Sequence, residues 1–148
     1  MCENCVHSVN LALGDPGGDN KQLFIFRAPT AANGGGVTII AADIVSDVSG
    51  KQGVGGTTFS VALHRYGSVA TGGTPAVNGT VAAAIGGTAW TWAAGVLNYF
   101  TIDNAAAYLK PGESLIAQYS EQNAGNPVNG VVMVRYVVGK RYVDSSRG

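Results

Sequence analysis

Charge is what this chain has least of. Only 12% of its 148 residues are Asp, Glu, Lys or Arg, about half the usual share of roughly 25%. Nine cations balance nine anions, so the formal net charge is zero. Nucleic-acid binding draws most of its affinity from phosphates neutralised by Lys and Arg. Basic residues this few, scattered singly, make no patch for it. A weakly charged, near-neutral surface favours association over a free monomer. We therefore read it as a surface partly covered by other protein.

Cysteine is nearly missing too. Cys2 and Cys5 are the whole supply, too few for a disulfide framework. At this length a core buries about two-thirds of the unfolded chain's surface, so none is needed. No apolar run is long enough to span a bilayer, which argues against a membrane partner. The opening Met1-Cys2-Glu3-Asn4-Cys5-Val6-His7 has neither the basic region nor the apolar core of a signal peptide. Synthesis in a cytoplasm, with use there or release by lysis, is the expectation. Asn78-Gly79-Thr80 fits a glycosylation acceptor, which means little without secretion.

What is present is a rhythm of β-branched and aromatic runs between glycine-rich turns. Strands are expected near residues 6–13, 23–26, 37–48, 57–66, 81–85, 96–102, 114–120 and 131–138. The alternation is clearest in 57–66, where Phe59, Val61 and Leu63 share one face and Ser60, Ala62 and His64 the other. The run at 131–138 is apolar on both faces, as in a central, doubly covered strand. Residues 67–79 read as a loop. Asp103 can cap a single helical turn through 104–108, ended by Pro111-Gly112. About eight strands with turns between them, and no βαβ alternation, predict an all-β fold: an antiparallel β-sandwich, most simply a jelly roll. The division expected is an N-terminal arm or first strand at 1–21, the sandwich at 22–139 and a C-terminal tail at 140–148, the two ends forming extended arms.

Candidate chemistry is sparse. Cys2, Cys5 and His7 have a metal-like spacing, but a structural zinc site needs four ligands. The chain's one other histidine is His64. Two free thiols in a flexible arm is the preferred reading, with no metal and no cofactor. His64 has no sequence motif of a hydrolase around it. Asp43 and Asp47 share a strand face but sit beside a turn, which Asp commonly serves. A hydrolase would need His64 close to one of them. Glycine stretches such as Gly53-Val54-Gly55-Gly56 lack the lysine of a phosphate loop. Trp90, Trp92 and Tyr99 read first as core packing, next as an aromatic platform for a protein partner and last as one for a sugar.

The order Phe-x-Val-x-Leu at 59–63, a Gly/Pro/Thr loop, an aromatic strand, Tyr108-Leu109-Lys110-Pro111-Gly112-Glu113-Ser114-Leu115 and Val131-Val132-Met133-Val134-Arg135-Tyr136 resembles small jelly-roll proteins of tailed bacteriophages. These include capsid decoration (cement) proteins and head-fibre domains, and the likeness runs over residues 22–140. It implies a non-enzymatic virion protein, often a homo-oligomer (dimer or trimer), that binds the outside of a shell and bridges major capsid protein subunits. The alternative is a tail-fibre, baseplate or head-fibre module that recognises a receptor or carbohydrate. Candidate interface residues are Val6, His7, Trp90, Trp92, Arg141 and Tyr142.

Overall fold

The computed structural model describes residues 5–14, 21–30, 35–47, 50–52, 59–67, 77–82, 91–120 and 129–140. These contain eleven strands: β1 His7–Leu13, β2 Lys21–Arg27, β3 Val37–Ser46, β4 Gly50–Gln52, β5 Phe59–Tyr66, β6 Val77–Ala82, β7 Thr91–Trp92, β8 Asn98–Tyr99, β9 Tyr108–Leu109, β10 Ser114–Ser120 and β11 Gly130–Val138. They form two sheets, β1-β11-β3-β8 with β9 also on β3, and β2-β10-β5-β4-β7 with β6 also on β5.

The pairing is nested. β1 pairs β11, β2 pairs β10, β3 pairs β8 and β9, and β5 pairs β6, all antiparallel. The chain is thus one long hairpin ribbon. Rolling it brings β11 against β3 and β10 against β5. That is a jelly roll. β8 and β9 share one side of β3, while β4 and β6 share one side of β5. The eleven pieces therefore fill eight main positions, four per sheet, with β7 added beyond β4. The β4–β5 pair is parallel.

The core lies between the sheets. Ile39, Ala42 and Ile44 of β3 and Val132 and Val134 of β11 face Val61 and Leu63 of β5 and Leu115 and Ala117 of β10, all fully buried. Ile40 is the extra residue of a bulge opposite Arg135/Tyr136, which keeps Ile39 and Ala42 both facing inward.

The turn into β10 is specified by its residues. Lys110-Pro111-Gly112-Glu113 closes through Glu113 N–H to the Lys110 carbonyl at 3.0 Å. Gly112 has φ +83°, as the third position of a type II turn requires, and proline suits the second. The Glu113 carboxylate is buried and accepts from Lys110 N–H at 2.8 Å. Arg65 reaches across the sandwich to the Tyr108 carbonyl at 3.2 Å.

Three expectations need correction. The strand expected from residue 81 starts earlier, as β6, Val77–Ala82, and residues 83–85 lie outside the described residues; pairing with β5 overrides the weak strand preference of Gly79 and extends the strand into the expected loop. The helical turn after Asp103 is shorter than expected. Asp103 Oδ1 accepts from Ala105 N–H at 3.0 Å, and the chain is extended again at Tyr108. β11 is central but not covered along its whole outer side, where Val131 is 45% exposed.

Candidate functional site

Asp43, Asp47, Tyr99 and His64 lie on the two outer faces of the sandwich. On the β1-β11-β3 sheet, strand register places Ala12, Val131 and Val45 in one row. Asn10, Met133, Asp43 and Tyr99 form the next row, and Ser8, Arg135 and Ala41 the third. Val45, Val131 and Tyr99 are exposed, as are Val96 and Leu97 in the segment before Tyr99. The Leu13 end of this face is apolar because period-2 alternation fails here: β3 and β11 carry valines on both sides. There the face opens into a groove of about 550 Å³ lined by Ala12, Val45, Asp47, Gly95, Asn129 and Val131.

Two carboxylates lie on this face. Asp43 is buried and lies 3.4 Å from Arg135. Burial raises its pKa, and the guanidinium partly offsets that. Asp47 accepts from Asn129 N–H at 2.9 Å and from the Asn129 amide at 3.2 Å. Those hydrogen bonds favour the charged form and lower its pKa. Asp47 thereby ties the start of β11 to the end of β3, the turn-serving role expected of it.

On the other sheet, His64 pairs with Ile116, out of the core register of Leu63 and Arg65. Burial lowers its pKa. Asp43 leaves the opposite outer face, and stacked sheets are about 10 Å apart. A His64–Asp43 hydrolytic pair is therefore not assembled. Among the described residues no group of three or more His, Cys, Asp or Glu could hold a metal ion, and no helix is long and apolar enough to cross a membrane. Phe24 meets Tyr66 edge-on at 5.4 Å on this face and is 60% exposed.

The remaining candidates separate. Cys5 is disulfide-bonded, which corrects the expectation of a free thiol; a metal ligand must be a thiolate. His7 stacks on Tyr136 at 5.3 Å, and Tyr136 stacks on Phe26 of the other sheet at 4.7 Å. Three rings thus close one edge of the sandwich. Val6 precedes β1 and is 56% exposed. Trp92 ends β7, opposite Gly50. Cys2, Trp90, Arg141 and Tyr142 lie outside the described residues.

No family model and no curated protein matches this chain. Among solved structures it is similar to a chain of the "Cyanophage Pam1 capsid asymmetric unit". The identity is 13%, the TM-score 0.42, and the alignment covers 91% of this chain and 84% of that one. Val45 and Val131 are not among the interface candidates read from the sequence, which lie at the chain ends and at Trp90 and Trp92. The available signal was Val45 and Val131, valines out of phase with the core positions of their own strands.

Proposed function

We propose that this is a non-enzymatic virion structural protein that binds the outside of a phage capsid and bridges neighbouring major capsid protein subunits. The supporting observation is the exposed apolar face of Val45, Val131, Leu97 and Tyr99 on a chain with so little charge. A patch of this kind marks a contact surface. Repetition over a symmetric shell turns weak single contacts into firm attachment. The chain would act on the capsid surface, assembled in the host cytoplasm, as a dimer or trimer.

The test is co-sedimentation with phage shells lacking this protein. The expected result is binding at a fixed ratio, lost in Val45→Glu and Val131→Glu, whose exposed side chains leave folding intact. Failure to bind any shell ends the reading.

A further inference from the structure

The strand β1 forms an edge of its sheet: among the described residues its one ladder partner is β11. Edge strands present a row of unsatisfied backbone groups, and natural proteins commonly blunt them with charge. The edge of the other sheet follows that rule, since β2 begins with Lys21 and ends with Arg27. β1, His7-Ser8-Val9-Asn10-Leu11-Ala12-Leu13, contains no Asp, Glu, Lys or Arg. We propose that β1 is a dimerisation strand that pairs antiparallel with β1 of a second copy of this chain, about a two-fold axis at Asn10.

The occupant follows from the strand's own symmetry. A two-fold interface must be self-complementary. With Asn10 opposite Asn10 of the second copy, Val9 falls opposite Leu11, Ser8 opposite Ala12, and His7 opposite Leu13. Every row then matches in face. The half-buried Val9 and Leu11 meet each other's counterparts on the inner side, extending the core across the junction. The exposed Ser8, Asn10 and Ala12 meet on the outer side, where their small side chains and amides place no charge opposite a like charge. A charged partner strand would find no counter-charge here, so a copy of β1 fits better than a strand of opposite sign.

The register also gives Val6 a place. Val6 lies one position before β1 and is 56% exposed. Alternation puts it on the outer face with Ser8 and Ala12. In the paired dimer it becomes a diagonal neighbour of Ala12 of the second copy, within reach across adjacent strands. Ala12 lines the apolar groove, so each copy's exposed valine reaches the rim of the other's groove. The dimer would place the two apolar outer faces side by side as one continuous surface. It stands on β1 alone and does not rest on capsid binding.

The test uses sedimentation velocity of the full chain without shells, over a range of concentrations. Wild type should show a monomer–dimer equilibrium. Asn10→Lys and Asn10→Asp each place like charges directly opposite at the axis and should weaken dimerisation about tenfold or more. Both substitutions fall on an exposed side chain, and circular dichroism checks that each variant is folded. Mixing the two variants should restore dimers, because Lys then faces Asp. A wild type that stays monomeric overturns the proposal. So do dimers indifferent to both substitutions, and variants whose mixture fails to recover.

Discussion

Deleting residues 1–13 removes β1 and leaves β11 as the edge of its sheet. Leu13 is fully buried, while Val9 and Leu11 are half-buried against the core. Full burial of a leucine contributes about 2 kcal/mol, and the two half-buried side chains about 1 kcal/mol each, for a total of about 4 kcal/mol. The seven residues of β1 also give up their ladder to β11. A net of about 1 kcal/mol per hydrogen bond is offset by about 1–2 kcal/mol per residue of regained backbone freedom, so the side chains dominate. For a chain of this length each kcal/mol shifts the melting temperature by roughly 2–4 °C. The expected fall is therefore about 8–16 °C by thermal circular dichroism, measured at a concentration where the chain is monomeric. Deleting residues 1–6 is the control, since Val6 is exposed and precedes the strand. Failure of the longer truncation to fold points the same way as a large fall. If both truncations melt within about 2 °C of each other, β1 is a loose arm in solution and the strand assignment is wrong.

Gly112→Ala should lower stability by about 1–2 kcal/mol, because φ +83° puts a Cβ in the left-handed region. Urea titration reads it, and an unchanged midpoint would mean the turn into β10 is not of type II. The two carboxylates on the outer face predict opposite pH effects. Asp47 has a folded pKa below 3.8, so its stabilisation is present above 3.8 and lost as pH falls through the lowered value; Asp43, raised above 3.8, contributes most below 3.8 and its contribution is lost as pH rises through the raised value. Asp47→Asn should therefore flatten the acid limb of stability against pH, and Asp43→Asn should flatten the limb just above it. Urea unfolding across acidic pH checks both, and unchanged slopes would refute the assigned hydrogen bonding and burial.

Much of the sandwich was legible because alternation and turn chemistry agreed. β5 reads from Val61 and Leu63 against His64. β10 reads from the Pro111-Gly112 turn that launches it. β6 starts earlier than expected because Asn78 and Gly79 carry little intrinsic strand signal and owe their conformation to pairing with β5. The site was less legible for a related reason. Valine at 45 and 131 looks identical in sequence whether it faces a core or solvent; its phase within the strand is a hint, and the register of β3 against β11 shows which phase lies outside. Likewise, the spacing of Asp43 and His64 carries no information about which face each leaves.

The nested pairing has a kinetic consequence. Of the described strands β1 is made first, and its partner β11 is made last. At about 5–20 residues per second, β1 waits on the order of ten seconds during synthesis before its ladder can exist. Throughout that interval it is an uncharged, half-apolar strand with both edges open. Folding that ends by joining two strands so distant in sequence is slow. The population at risk of mispairing is then the nascent chain, and crowding several copies on one message raises that risk. Expression yield should respond to the polarity of His7–Leu13 more steeply than the folded protein's stability does.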